Sequence, residues 1–332
     1  MSESSATVIN ASTASPGICA TYSPDANGYV PNDDCRSLWS YYPSFAAALV
    51  FALLFGMSNV IHILQAIRYR KRFCWVIIMA ATWETVGFVL RTLSTRNQLS
   101  LGLFMPEELL ILLAPLWVNA YDYMVLGRMV YYYLPEKKLL GIRAEKFGVC
   151  FVCLDIVAFI VQGVGGSMTS GGPGTDPDNI MLGIHVYMGG IGLQQCLILL
   201  FLGVAIAFHR RMLKGGEIIT GAKPNWKPLL YTLYASLACI TIRIIFRLIQ
   251  YASGVNGALV THESYFYCFE AMPMLLAIGL MNFVHPGRIL VGPESEFPKL
   301  TKKEKREGKR RNKEEKQERK RKMELEMTGT KS

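Results

Sequence analysis

The chain has 332 residues, 51% of them hydrophobic and 18% charged, and its mean hydropathy is +0.26. A soluble domain of this length carries about a quarter charged residues, so the composition excludes both an ordinary cytosolic enzyme and a disordered chain. The net charge of +10 is concentrated in one tail: residues 286–332 hold 16 of the 35 Lys+Arg and 9 of the 25 Asp+Glu, so it does not describe a nucleic-acid-binding body.

Residues 1–43 are rich in Ser, Thr, Asn and Pro and have no apolar core of a cleavable signal peptide. They read as a polar extracellular tail. Asn10-Ala11-Ser12 is a glycosylation acceptor pattern, and Cys19 and Cys35 are placed to form a disulfide in an oxidising compartment. The other six cysteines lie in or beside apolar stretches and are expected to pack in the interior.

Seven apolar stretches follow, over 44–66, 74–93, 108–133, 147–166, 183–208, 229–252 and 265–285. Each is long enough to cross a hydrocarbon core of about 30 Å. Backbone polar groups there must be paired within their own segment, so each stretch is predicted to be a helix. The fold class is therefore an all-α integral membrane bundle of seven transmembrane helices spanning 44–285. Ala48, Ala52 and Gly56 line one side of the first span with small residues, which permits close helix contact. Trp39, Tyr41 and Tyr42 before it, and Tyr131 to Tyr133 at the end of the third, read as interfacial belts.

Loop charge sets the orientation. The connections after the first, third and fifth spans carry thirteen Lys and Arg; the opposite side carries Arg36 and Arg96. The N-terminus is therefore expected outside and the C-terminus in the cytosol, which an odd number of spans requires. The cytosolic tail, 286–332, is expected to be disordered or partly helical. Its stretch from Lys299 to Lys322 offers attraction to anionic lipid.

Motifs for soluble chemistry fail on inspection. Gly216 to Lys223 has Ala222 where a phosphate loop needs its lysine, with Pro224 just beyond. Gly163, Gly165 and Gly166 end a span and do not open a helix after a strand, so they are no dinucleotide fingerprint. The five histidines have no metal-ligand spacing. No cofactor, metal, nucleic-acid partner or catalytic residue is expected, and the chain is not read as an enzyme.

The informative residues are the ionisable ones inside the spans: Glu84, Arg91, Asp122, Arg128, Asp155, Arg243, Arg247 and Glu270. A charge at the bilayer centre costs about 3 kcal/mol on insertion scales, so these side chains are expected to face the interior and pair. Glu84 and Arg91, and Asp155 and Gln162, are seven apart; Arg243 and Arg247 are four apart and share a helix face. Glu270 and Glu84 are the expected counter-charges of the two arginines. With Gln162 and Gln195 these groups are the candidate path for the head group of an amphipathic ligand.

Glu84-Thr85-Val86-Gly87-Phe88 with Arg91, Ala114-Pro115, Tyr123 to Arg128, Asp155 with Gln162-Gly163, Gln194-Gln195, Arg243 to Arg247, His262-Glu263 with Phe269-Glu270, and His285-Pro286-Gly287 follow one another along the chain. In this set and order, over about residues 40–290, the chain resembles the fungal RTA1-like family of lipid-translocating exporters. The resemblance implies a multi-pass protein, of the plasma membrane most of all, whose partners are membrane lipids. It implies ATP-independent movement of amphipathic lipids or toxic amphiphiles, with a cargo like a sphingoid long-chain base. The alternative is a seven-helix lipid receptor or sensor. Its third span ends Leu126-Gly127-Arg128-Met129, without the acidic-Arg-Tyr triplet of G-protein-coupled receptors. Sequence leaves the oligomeric state open.

Overall fold

The structure, a computed structural model, describes residues 21–25, 27–31, 34, 36–169, 176–220, 223–252, 258–297 and 317. Asn10, Cys19, Cys35 and most of the basic tail lie outside the described residues, and so do the glycosylation, disulfide and anionic-lipid expectations that rest on them. The chain divides into two units, Met1–Val291 and Gly292–Ser332. In the second, a single 3-10 turn, Pro293–Ser295, is closed by the Ser295 hydroxyl donating to the Gly292 carbonyl.

The first unit is built from seven long helices: α1 (Phe45–Tyr69), α2 (Trp75–Ser94), α3 (Leu101–Tyr133), α4 (Ala144–Thr169), α5 (Pro177–Thr220), α6 (Lys227–Ala252) and α7. The last is composite, with Glu263–Phe266 passing through a π-helical turn, Tyr267–Ala271, into Met272–Phe283. All seven are long and apolar enough to cross a membrane. Each of the seven predicted stretches coincides with one of them to within two residues at the ends where it overruns: Ser44 caps α1, Cys74 sits in the 3-10 turn before α2, and 284–285 lie past the end of α7. The helices run past the apolar windows, most of all α3, which starts at Leu101 and not at 108, and α5, which has 44 residues. Hydropathy marks only the lipid-immersed part of a helix, and polar flanking turns continue the same hydrogen-bond ladder.

Two clusters of bonds identify the ends of the bundle. At one, the Ser44 amide donates to Glu263 Oε2 and Arg91 of α2 meets Glu107 of α3. At the other, Gln65 of α1 donates to the Asn282 carbonyl of α7, and Tyr133 of α3 to the Pro224 carbonyl before α6. Odd-numbered helices therefore run one way and even-numbered helices the other. The first is called the N-terminal end below, the second the basic end, since its connections carry the thirteen Lys and Arg.

The described residues before α1, from 21 on, form a cap on the bundle. Val30 is fully buried and its amide donates to Gln98 Oε1 in the α2–α3 connection. Asp34 accepts from the Tyr22 amide and from Arg36, whose guanidinium holds the Asp34 carboxyl below the usual carboxylate range. Trp39, expected in an interfacial belt, is buried, and so is Tyr133 at the basic end. Both are claimed by interior partners: Arg91 lies over the Trp39 ring, and Tyr133 bonds a carbonyl. The cysteines depart from expectation as well. Cys74 is buried and Cys239 partly so, but Cys150, Cys153, Cys196 and Cys268 are exposed on the outward faces of their helices. A thiol is a small, weak hydrogen-bonder and costs little against lipid.

Outward faces are apolar, with Leu53, Met57, Leu64 and Ile67 exposed along α1, while Glu84, Arg91, Asn119, Asp122, Asp155 and Glu270 are buried within. This is the inverse of a water-soluble core. Small residues set the closest packing. A Cβ on Gly165 of α4 would fall 2.3 Å from the Tyr187 nitrogen of α5, and one on Gly190 of α5 would fall 2.8 Å from the Gln162 nitrogen of α4. Backbone meets backbone there, which fixes Gln162 beside Gln194 and holds Tyr187 at the bundle interior. Replacing Gly165 by Val should therefore force the two helices apart at a cost of about 1–3 kcal/mol. The check is the thermal midpoint of detergent-purified protein; an unchanged midpoint would contradict the close approach.

Candidate functional site

Near the N-terminal end, Arg91 is fully buried. Its Nη1 donates to Glu107 Oε1 at 2.6 Å and its Nη2 to the Tyr41 hydroxyl at 2.6 Å. Burial pushes the Tyr41 hydroxyl up to about 12, so it meets the guanidinium as a neutral phenol. Glu108 and Glu263 stand 3.7 and 3.9 Å from the same guanidinium, and the Phe266 ring lies 4.0 Å from its centre. Arg91 thus ties together the N-terminal cap, α2, α3 and α7.

The second cluster lies deeper. Arg243 Nη2 donates to Glu270 Oε1 at 2.8 Å and to the Ile111 carbonyl at 2.9 Å. Arg247 Nη1 donates to that same Glu270 oxygen at 2.6 Å, and its Nη2 to the Tyr187 hydroxyl at 2.5 Å. Two guanidiniums therefore converge on one carboxylate oxygen. The π-helical turn that carries Glu270 has its cause in the sequence. Pro273 has no N–H to offer the Phe269 carbonyl, and the Met272 amide bonds back to Tyr267, five residues earlier.

Both arginines line a narrow, partly enclosed cleft of about 20 Å³, room for about one water, between α3, α4, α5 and α6. Gln162 and Gln194, joined by a 3.0 Å hydrogen bond, form its other polar wall. Leu112, Pro115, Leu116, Phe159, Ile191, Ile240 and Ile244 supply the remainder. A few converging polar groups on apolar walls are the composition of a small-molecule site, and at this volume the helices would have to part to admit one.

The other sequence-predicted residues are placed as follows. Asp122 accepts from the Ser236 hydroxyl at 2.7 Å, and its Oδ1 has no partner among the described residues. Asp155 accepts from Tyr123 and Asn119. Arg128 lies over the Phe73 ring towards the basic end. Gln195 meets Thr241 at 3.5 Å and is outside the cleft; its neighbour Gln194 lines it, because one helical step turns a side chain by about 100°. Glu84 is no counter-charge by hydrogen bond: it is fully buried and neither carboxyl oxygen has a hydrogen-bond partner among the described residues, since Glu270 takes both arginines.

Sequence reasoning also passed over Glu107, Glu108 and Tyr187, and it met Glu263 only as part of the family resemblance, with no role given. Glu107 lies one residue before the apolar stretch that began at 108. The available signal was the charge itself: Glu107 and Glu108 stand directly at the edge of the apolar stretch, and Glu108 is its first residue. Tyr187 had no signal apart from its spacing on α5.

The geometry can be set beside known proteins. A family model described as RTA1 like protein matches residues 77–292. The chain is 44% identical over 311 residues to a probable lipid transporter, atnI, of Emericella nidulans, a match covering 91% of this chain and 81% of that protein. It is 29% identical over 277 residues to the lipid-translocating exporter-like protein RTA1 of Leptosphaeria maculans, covering 77% and 52%. To the sphingoid long-chain base transporter RSB1 of Saccharomyces cerevisiae it is 24% identical over 288 residues, covering 77% and 75%. No solved structure matches the chain.

Removing one partner of the Arg91–Glu107 pair leaves a buried charge without its mate. Glu107→Ala should cost about 3–5 kcal/mol, and the double variant Arg91→Met with Glu107→Leu should cost less than either single change. Thermal midpoints of the three purified variants check this. Additive losses would mean that the two side chains do not depend on each other.

Proposed function

The chain belongs to the RTA1-like family, and we propose that it moves an amphipathic lipid across a membrane through the cleft between α3, α4, α5 and α6. The head group passes along the buried polar groups while the hydrocarbon chain stays in the apolar part of the cleft or in lipid. The observation that carries this reading is the convergence of Arg243 and Arg247 on one Glu270 oxygen at the cleft wall. Such a site gives a polar head hydrogen-bonding groups inside a medium that has none.

The cargo is read as cationic, in the manner of a sphingoid long-chain base. Around the two clusters stand five carboxyls, Glu84, Glu107, Glu108, Glu263 and Glu270, against three guanidiniums, Arg91, Arg243 and Arg247. The surplus of acid suits an ammonium head, and Gln162 and Gln194 suit the hydroxyls beside it. The name of the yeast relative fits this class of cargo. Movement is ATP-independent in this reading, since the chain has no phosphate loop. The excess of basic residues at one end supports an N-terminus outside and a basic end in the cytosol, and this reading takes the membrane to be the plasma membrane.

The test is transbilayer movement of a fluorescent sphingoid base in proteoliposomes. Wild-type protein should accelerate it well above protein-free vesicles. Arg247→Gln, if it purifies as a single folded species, should lose about 10-fold or more of that rate, a loss of about 1.4 kcal/mol. Wild-type rates equal to those of empty vesicles would contradict the reading.

A further inference from the structure

Among the buried acids of the described residues, Glu84 alone has neither carboxyl oxygen hydrogen-bonded. It lies on α2 near mid-span, and two charged groups act on it: Arg243 from α6 and Glu270 from the π-helical turn of α7. The other helices packed on α2 carry His62 on α1 and Glu107, Glu108 and Asp122 on α3. These are engaged elsewhere: His62 with the Ile278 carbonyl, Glu107 and Glu108 with Arg91, Asp122 with Ser236. Arg243 is thus joined to one carboxyl by a hydrogen bond and acts on the other through its charge alone. It is bonded to Glu270, and its Nε is buried without a partner.

An ion whose two oxygens lack partners is among the most expensive groups to hold in such an interior. The arrangement is tolerable when Glu84 carries a proton, or when Arg243 turns from Glu270 to Glu84. The second condition arises when another cation takes Glu270. The π-helical turn under Glu270 makes such an exchange feasible, because a π turn differs from regular helix by one residue of register.

We propose that Glu84 is a proton-exchange site that couples cargo movement to a proton gradient. An ammonium head entering at the arginines of the cleft displaces Arg243 from Glu270, which is not itself among the lining residues, and pairs with that carboxylate in its place. The guanidinium turns to Glu84, whose O–H bond breaks and whose proton leaves to water. When the cargo departs, Arg243 returns to Glu270 and Glu84 takes a proton back. One cation replaces another at each step, so the buried charge stays constant. The inference rests on the transport reading above and adds its driving force.

The test uses an N-trimethylated sphingoid base, whose fixed charge prevents passive trapping by pH, in proteoliposomes holding an imposed pH gradient. Wild-type protein should concentrate this cation on the acidic side, approaching about tenfold per pH unit for one-for-one exchange. Glu84→Gln should abolish that accumulation whatever its rate of downhill movement. Accumulation that persists in the variant, or wild-type movement that ignores the gradient, overturns the proton site and leaves transport standing. Absence of any wild-type movement overturns the transport reading itself. Because the variant can fail to fold, a second measurement uses wild-type protein alone. Adding the same cation to purified protein in weak buffer should release about one proton per cation bound; release of none overturns the proposal.

Discussion

A guanidinium inside hydrocarbon has no water to turn to, and this constraint organises the interior. Arg91, Arg243 and Arg247 each find partners within the bundle for their terminal nitrogens: a carboxylate for every one of them, with a phenol or a main-chain carbonyl besides. Those partners come from different helices. Arg91 draws on the N-terminal cap, α3 and α7, while Arg243 and Arg247 join α6 to α3, α5 and α7. Satisfying three charges therefore fixes much of the tertiary arrangement.

The same pairing leaves room for function. A bundle that sought only stability would do well with apolar side chains in place of buried ion pairs. Here two cations share one oxygen, an acid beside them has no hydrogen-bond partner, and a cleft opens on the arginines. Each is a place where an incoming head group offers a bond the resting protein lacks. The Gly165 and Gly190 contacts bring α4 and α5 close enough for the two glutamines to face the arginines across the cleft.

Most of the fold was legible in the sequence because lipid is an undiscriminating solvent: apolar length alone marks a spanning helix. What hydropathy does not read is where a helix ends outside the lipid, and Glu107 was lost there. Residue type identified the buried charges, but pairing depends on helix rotation and on which spans are neighbours. Glu84 and Glu270 looked equivalent as counter-charges. The π-helical turn before Pro273 and the packing of α6 against α7 decided for Glu270. Gln194 and Gln195 were similarly indistinguishable until the rotation of α5 was known. Trp39 and Tyr41 read as interfacial aromatics, since nothing local to them announces a partner fifty residues away in Arg91.

The account turns on where the polar head of a lipid goes. A density map of the protein in a lipid nanodisc with a saturating sphingoid base tests it most directly. The account predicts head-group density in the cleft, within hydrogen-bond reach of Glu270 and beside Arg247, with the chain running along Ile191 and Ile240. Lipid density confined to the outer faces of the helices, with the cleft closed and the arginines still joined to Glu270, would contradict it.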